Sequence, residues 1–307
     1  MVYSKSIKRL QNALAYRSLV VIRWMIGSIP YFILIRFMNT MLSIVYVFML
    51  KVRRDVRYNL QAAFGDEKNE AALEAMTKGC LKNAGQSMID MLYYSNRPDK
   101  VEDNVAIEGR SYLENSLSLG RGVVAVTAHL GNFPIMFMKL MQEGFKVNVI
   151  IRPMRDKSFE RFMFAQTDRW GINMIRTRPR KEFLKKTIKA LKHNELLFIL
   201  LDEDAKEKNS VSVNFLNRKL PVVTGPMLFH ERMGSPIHTI LTITEPNGNL
   251  KVTISPALKV VTHHDSETNM ASNIAHLVKS IEDAVLAYPL QWGGWMNKVW
   301  RQEKAPA

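Results

Sequence analysis

The stretch VAVTAHLGNFPIM, residues 124–136, joins a run of small and β-branched residues to a histidine, a turn and an apolar segment. Its first part belongs to the apolar run 122–128, which has the length and composition of a fully buried strand. The segment 133–142 that follows resembles an apolar helix. A buried strand that leads through a turn into a helix is typical of an α/β domain, and it places His129 at the end of the strand.

Segments of strand type alternate with segments of helical type over the rest of the chain. After a helical pattern over 55–95, the sequence predicts helices at 133–142, 181–193 and 267–288, and strands at 122–128, 146–151, 195–201, 236–244 and 250–258. The residues PNGN between the last two strands are a hairpin signal. This order predicts an α/β fold with a mostly parallel central sheet flanked by helices, in a domain over 53–307.

The N-terminal part holds the longest apolar stretch. Over 20–50 only Arg23 and Arg36 are charged, and basic residues stand on both sides. A membrane span takes about 20 apolar residues, but Arg36 and Pro30 interrupt this run. Three arrangements stay open: a tilted single span, a helix in the membrane interface, or a buried pair of helices in a soluble domain. We expect residues 1–52 to form a basic N-terminus and an apolar membrane-anchor helix on an anionic membrane surface.

The charge balance indicates an anionic partner. The 307 residues include 43 Lys and Arg against 28 Asp and Glu, a net charge of +15. The basic stretch 150–192 lacks the interleaved aromatic residues that stack on bases, so we do not expect a nucleic acid. Cys80 is the only cysteine, and the sequence has no P-loop, G-x-G-x-x-G, G-x-S-x-G or H-E-x-x-H pattern. We predict neither a cofactor nor a metal ion.

Polar residues follow three of the predicted strands. Ligands in open α/β sheets bind at the carboxyl ends of the strands. A histidine with a carboxylate is the minimal set for general-base catalysis on a hydroxyl group, and a glycine lets the backbone approach a substrate closely. The alternatives are a structural histidine, a solvated acidic turn and a divalent-metal site. The residues at the three ends are His129 and Gly131, then Arg152 and Arg155, then Asp202, Glu203 and Asp204.

Several motifs, in order, resemble those of the bacterial lipid A lauroyl/myristoyl acyltransferase family, which includes mycobacterial phosphatidylinositol mannoside acyltransferases. The family belongs to the lysophospholipid-acyltransferase-like superfamily, whose first motif is usually His-x4-Asp/Glu. The resemblance runs from about residue 20 to residue 301. Its motifs are AVTAHLGNFPIM (125–136), RRDVRYNLQAAFG (53–65), IIRPMRDKSFERF (150–162), LLDEDAKEKNSVSVNFLNRKLPVVTGPMLF (200–229) and QWGGWMNKVWR (291–301).

This resemblance implies an enzyme on the cytoplasmic face of the bacterial inner membrane, held as a single-pass or monotopic protein. It implies transfer of a fatty acyl group from an acyl carrier protein or acyl-CoA thioester to a hydroxyl group of a glycolipid or phospholipid. Arg152 and Arg155 suit phosphate groups, because a guanidinium binds them bidentately. Thr224 and Gly225 stand at a TGP helix start, whose backbone N–H groups suit an anion, although an ordinary helix cap has the same sequence.

The sequence departs from the family at the motif acid, which would fall at position 134, where this chain has Pro134. Proline can neither orient an imidazole nor carry charge. Asp202 is the first candidate to replace the acid, Glu203 and Asp204 are the next, and a neutral hydrogen bond from Asn132 is a further possibility. A lipid-binding protein of the same fold that has lost catalysis is the alternative to the enzyme.

Overall fold

A seven-stranded sheet forms the centre of the structure. The computed structural model describes residues 2–65, 67–154, 156–205, 210–262 and 265–296. The strands of the sheet, in chain order, are β1 (Val105–Glu108), β2 (Val123–Thr127), β3 (Val147–Ile151), β4 (Asn173–Arg176), β5 (Leu196–Leu200), β8 (Ile237–Thr244) and β9 (Leu250–Ile254). Their order across the sheet is β1-β9-β8-β2-β5-β3-β4. A separate antiparallel hairpin consists of β6 (Ser210–Phe215) and β7 (Arg218–Val223).

Neighbouring strands of the sheet run parallel except for the antiparallel pair β8 and β9. The mostly parallel α/β fold and the hairpin at PNGN are therefore confirmed. Gly248 in that hairpin has a φ of 89°, a conformation that glycine adopts without strain. The predicted strand over 250–258 is too long: β9 ends at Ile254, and Pro256, which has no N–H to donate, follows closely.

Helices cover both faces of the sheet. The predicted helical pattern over 55–95 is divided, because the chain leaves the helical conformation between Phe64 and Glu70. The helices are α1 (Val2–Ser28), α2 (Tyr31–Phe48), α3 (Leu50–Phe64), α4 (Glu70–Tyr94), α5 (Pro98–Asn104), α6 (Arg110–Leu117), α7 (Phe133–Gln142), α8 (Lys157–Arg169), α9 (Arg180–Lys192), α10 (Gly225–Met233) and α11 (Ser266–Ala287), followed by short 3-10 turns at Pro289–Gln291 and Gly293–Met296.

Strand β2 lies at the centre of two hydrophobic cores. All five of its residues are buried, and successive side chains point to opposite faces of the sheet. Val124 and Val126 belong to the core that includes residues of α3 and α11, and Val123 and Ala125 belong to the core that includes residues of α7. This burial on both faces explains why the strand reads as a continuous apolar run.

The N-terminal apolar stretch forms two helices, which are separated at Pro30. Among the described residues, α2 is the one helix long and apolar enough to cross a membrane, and length and composition alone make it a candidate anchor. Leu34 and Met38 of α2 are buried, whereas Phe37 and Phe48 are 64% and 79% exposed. The Tyr31 hydroxyl donates a hydrogen bond of 2.8 Å to Asp90 in α4. One side of α2 thus packs on the protein and another presents large apolar side chains.

Candidate active site

The carboxyl ends of β2, β5 and β3 lie side by side, because these strands are neighbours in the parallel sheet. This arrangement brings His129, Asp202, Glu203 and Arg152 together. Arg155 lies outside the described residues. The cluster stands at the edge of the sheet where ligands of open α/β folds bind.

Asp202 is the central acceptor of the cluster. Its buried carboxylate accepts hydrogen bonds from the His129 backbone N–H at 2.8 Å, from His129 Nδ1 at 3.0 Å and from Trp292 Nε1 at 2.8 Å. Burial tends to raise the pKa of Asp202, but the charge of His129 and these hydrogen bonds outweigh it and hold the pKa below the ordinary value. The carboxylate is therefore kept ionised.

The imidazole of His129 is fixed by this carboxylate. Since Nδ1 faces Asp202, the proton on Nδ1 is held there, and Nε2 is the nitrogen left toward Glu203, whose Oε1 lies 3.7 Å away. Phe133 packs edge-on against the ring, with centroids 5.3 Å apart. Burial tends to lower the pKa of His129, but the negative charge and hydrogen bond of Asp202 prevail and raise it.

Arg152 holds the loop that follows β5. One guanidinium nitrogen lies 3.6 Å from Glu203 Oε2, and another donates a hydrogen bond of 2.8 Å to the backbone carbonyl of Asp204. The Arg152 side chain is about half exposed, so this ion pair is partly solvated. Asp204 thus meets Arg152 through its backbone oxygen, while Glu203 meets both Arg152 and His129.

Backbone hydrogen bonds join the loop from His129 to Asn132 to the C-terminal segment around Gln291 and Gly293. Gly293 N–H donates to His129 O at 2.7 Å, and Gly131 N–H donates to Gln291 O at 2.9 Å. Gly131 has a φ of 56°, and a Cβ there would overlap the carbonyl oxygen of Thr242 in β8. The absence of a side chain at Gly131 therefore allows the loop to approach β8 closely.

Asn132 and Pro134 begin helix α7. The Asn132 side chain is buried and donates a hydrogen bond of 3.0 Å to the carbonyl of Ser87 in α4, and its Oδ1 has no hydrogen-bond partner among the residues that the structure describes. Pro134 lies in the first turn, where the missing N–H costs no helical hydrogen bond, and its ring lines the cavity described below. The carboxylate that faces the imidazole thus comes from the end of β5.

A cavity of about 900 Å³ opens beside His129. Ligand pockets have volumes of about 300–1,000 Å³, so this cavity is at the large end of the range. Thr224 and Gly225, at the start of α10, lie on its wall together with Glu203. Most of its wall is apolar, with Phe133, Phe137, Met138, Met154, Met163, Ile172, Met174, Phe183, Leu184 and Leu228 among the lining residues.

Arginines and Trp292 are the residues of this site that sequence reasoning missed. Arg178, Arg180 and Arg232 line the cavity with Arg152. Trp292 was visible within the QWGGW motif, but no local pattern shows that its indole reaches a carboxylate 90 residues earlier in the chain. Among the described residues, no group of three or more His, Cys, Asp or Glu side chains is placed to hold a metal ion.

The fold and the site together define a class: an α/β protein with a hydrogen-bonded histidine–carboxylate pair beside a large, mostly apolar cavity. The chain belongs to the bacterial lipid A biosynthesis acyltransferase family, whose model matches residues 3–302. No curated protein matches it. The family resemblance of the motifs is thereby confirmed, and the protein is an acyltransferase of a family that is membrane-associated in bacteria.

Proposed function

We propose that this protein transfers a fatty acyl group from an acyl carrier protein or acyl-CoA thioester to a hydroxyl group of a lipid A-like glycolipid, with His129 as the general base. One observation carries the proposal: His129, which lines a large and mostly apolar cavity, is hydrogen-bonded to the buried Asp202. Family membership supports acyl transfer in lipid A biosynthesis, and the donor, the acceptor and the residue roles are the proposed part.

The reaction needs a base because a hydroxyl group is a weak nucleophile. His129 Nε2 accepts the hydroxyl proton while the oxygen attacks the thioester carbonyl carbon and forms a new C–O bond. The resulting imidazolium is stabilised by the Asp202 carboxylate on Nδ1. When the intermediate collapses, the C–S bond breaks and the imidazolium returns the proton to the leaving thiolate, so that His129 is regenerated as the neutral base.

Asp202 takes the place of the motif acid in this scheme. The family pattern would supply a carboxylate from the first turn of α7, and this chain has Pro134 there. A carboxylate on the end of β5 reaches Nδ1 as well, at 3.0 Å. The Trp292 indole adds a further donor to the same carboxylate, and we assign it the role of positioning Asp202.

The cavity takes the acyl chain, and the basic residues at the cavity bind the anionic groups of the donor or acceptor. Arg152 lies next to the proposed base, and Arg178, Arg180 and Arg232 extend the positive charge along the cavity wall. The N–H groups at the start of α10, near Thr224 and Gly225, lie on the same wall and suit an oxyanion or phosphate oxygen.

The inner membrane is the proposed location, with the site on the cytoplasmic face. The exposed apolar side chains of α2 support contact with lipid, and a lipid acceptor requires that the site meet a membrane. We assign residues 1–52 to this anchor and residues 53–307 to the catalytic domain. Whether α2 crosses the bilayer or lies in the interface follows from protease accessibility of a tag placed at each end of the chain.

Mass spectrometry of the lipid product tests the proposal. The full-length protein in detergent is incubated with a lipid A precursor and with either acyl-CoA or acylated carrier protein. We expect the precursor to gain the mass of one acyl chain, and the productive donor identifies the thioester. A precursor that stays unmodified with both donors contradicts the proposal.

Pro134 favours one alternative, a lipid-binding protein of this fold that has lost catalysis. Adding a binding measurement to the same incubation separates the two functions, since that protein would bind acyl chains and leave the precursor unchanged.

A further inference from the structure

Helix α2 is attached to helix α4 at both of its ends. At its first residue, the Tyr31 hydroxyl donates a hydrogen bond of 2.8 Å to Asp90, and in its last turns the Tyr46 hydroxyl donates one of 2.7 Å to Glu74. At about 1.5 Å per residue, the two tyrosines are about 22 Å apart along α2 and their partners about 24 Å apart along α4. The two helices therefore lie side by side and run antiparallel.

The middle of this contact is apolar and close. Leu34 and Met38 are the buried residues of α2. A Cβ placed at Gly85 of α4 would stand 3.3 Å from Met38 Sδ, so the missing side chain lets the two helices approach each other. Helix α2 is thus held on α4 at its centre as well as at its ends.

An exposed apolar stripe runs along the other side of α2. Its members recur at intervals of three and four residues, which places them on one face of the helix. They are 40% to 79% exposed, and we call them the α2 stripe: Ile33, Phe37, Met41, Ile44 and Phe48. A continuous exposed apolar surface on a folded protein marks a contact with lipid or with another protein.

Basic residues border the α2 stripe. Lys51 and Arg54 are exposed and follow Phe48 closely in the chain. Arg36 is exposed too, and it stands about 100° around the helix from the middle of the stripe. Long basic side chains beside an apolar surface reach anionic headgroups while the apolar surface meets the acyl chains. The stripe and its border therefore match the two layers of an anionic membrane.

A bilayer-spanning α2 does not fit the contacts with α4. If α2 stood along the membrane normal, the antiparallel α4 would enter the hydrocarbon core beside it, together with its exposed Lys78 and Lys82. Charged side chains at that depth are costly. An α2 that left α4 in order to span would instead take the Tyr31 donor away from the buried Asp90.

We propose that α2 is an in-plane anchor, which stays on α4 and inserts the α2 stripe into the acyl layer of one leaflet of an anionic membrane. A helix in the membrane interface inserts about 5–10 Å below the headgroup level. The inference rests on the membrane location given under the proposed function and makes it specific: the protein meets one leaflet and does not cross the bilayer.

This placement brings the candidate site close to the membrane. Helix α4, on which α2 packs, also lines the cavity with Met91, Leu92 and Ser95. The axes of packed helices are about 8–10 Å apart, so the cavity wall lies about one helix diameter from the lipid-bound helix. The in-plane anchor therefore holds the cavity near the leaflet that contains the lipid substrate.

Electron paramagnetic resonance of spin-labelled protein measures the depth of each residue of the α2 stripe. The full-length protein carries Cys80→Ser, whose hydroxyl can still donate to the carbonyl of Pro289, and one new cysteine at a time. His193→Cys, exposed at the end of α9, is the control in water. The label positions are Ile33→Cys, Phe37→Cys, Met41→Cys, Ile44→Cys and Phe48→Cys.

The proteins are bound to vesicles of phosphatidylethanolamine and phosphatidylglycerol, and the accessibility of each label to oxygen and to a water-soluble nickel complex gives its depth. We expect all five labels at a similar depth, about 5–10 Å below the headgroups, and the control label in water. The five positions share one face of a helix that lies parallel to the membrane, so depth should not change progressively along the helix.

Two other results overturn the in-plane anchor. A label at Met41 about 15 Å deep, with Ile33 and Phe48 near opposite surfaces, would show that α2 spans the bilayer. Five labels in water would show that the stripe does not contact lipid and is left to a protein partner. Failure of the proposed acyl transfer has a different signature: the labels lie at one depth, but the lipid A precursor gains no acyl mass.

Discussion

Replacing Asp202 by asparagine tests how the proposed base is activated. The wild-type carboxylate accepts three N–H donors: Oδ2 faces the His129 backbone N–H and Trp292 Nε1, both at 2.8 Å, and Oδ1 faces His129 Nδ1 at 3.0 Å. Asparagine has one acceptor oxygen and one donor NH2 group. The orientation that keeps two hydrogen bonds places the oxygen at the Oδ2 position and turns the NH2 group toward Nδ1.

This orientation reverses the tautomer of His129. Nδ1 becomes the acceptor, and the ring proton moves to Nε2, the nitrogen that must take the proton of the hydroxyl group. Loss of general-base catalysis with retained geometry costs roughly 10²–10⁴-fold in kcat, or about 2.7–5.4 kcal/mol of transition-state stabilisation. The opposite orientation would set the NH2 group against two N–H donors and should also cost stability.

The pH dependence gives a second readout. Asp202 raises the pKa of His129 above the value of about 6.5 that an ordinary histidine has. The wild-type imidazole therefore stays protonated up to a higher pH, and a protonated imidazole cannot act as the base. Activity should rise with pH through that raised pKa. Without the negative charge the pKa falls, so the acid limb of the profile should move to lower pH in Asp202→Asn.

Acyl transfer from the productive thioester to a lipid A precursor, measured across pH, is the assay. Asp204→Asn is the matched control, because Asp204 meets Arg152 through its backbone carbonyl. Pro134→Glu should partly rescue Asp202→Asn by restoring a carboxylate in the first turn of α7. Wild-type kcat and an unmoved acid limb in Asp202→Asn would refute the reasoning.

Three further predictions concern the second donor to the carboxylate, the proposed anion site and the membrane surface. Trp292→Phe keeps an aromatic ring and removes the N–H that donates to Asp202, so it should lower kcat by about tenfold and raise the pKa of Asp202. Trp295→Phe is the control, because it removes an N–H that donates to a backbone carbonyl, and it should leave the pH profile unchanged. Identical pH profiles in the two variants would show that the Trp292 N–H does not position Asp202. Arg152→Ala should raise KM for an anionic substrate by about 10- to 150-fold with a smaller effect on kcat, and unchanged kinetics would remove this arginine from the binding site. The full-length protein should sediment with membranes. The double variant Phe37→Gln and Phe48→Gln should be found partly in the soluble fraction, because these two apolar side chains are 64% and 79% exposed. Equal sedimentation of the wild type and the variant would mean that this face of α2 does not contact lipid.

The sheet was predictable because its strands are short apolar runs bounded by turns. β2 and β5 are buried on both faces, so their sequences carry the signal without interruption. β1 and β4 escaped prediction because they are four-residue edge strands with polar and exposed positions. The hairpin of β6 and β7 escaped as well, although Asn217 with a φ of 62° occupies a turn conformation that asparagine favours.

The candidate site was predictable where it depends on the parallel sheet. Adjacent strand ends bring His129 and Asp202 within hydrogen-bond distance, and only the strand order was needed to expect this. Trp292 was not predictable, since it reaches the site from a C-terminal segment that has no regular strand or helix pattern. The contacts that hold α2 along α4, such as that of Tyr31 with Asp90, join residues far apart in the chain, so local sequence does not determine them either.

The rate of acyl transfer by His129→Ala tests the central claim most directly. His193→Ala is the matched control, because His193 is exposed at the end of α9 and its ring contacts the carbonyl of Lys189. With equal expression and the same circular dichroism spectrum, we predict that His129→Ala loses roughly 10²–10⁴-fold in kcat for transfer to the lipid A precursor and that His193→Ala keeps the wild-type rate. A wild-type rate in His129→Ala would contradict the assignment of His129 as the general base.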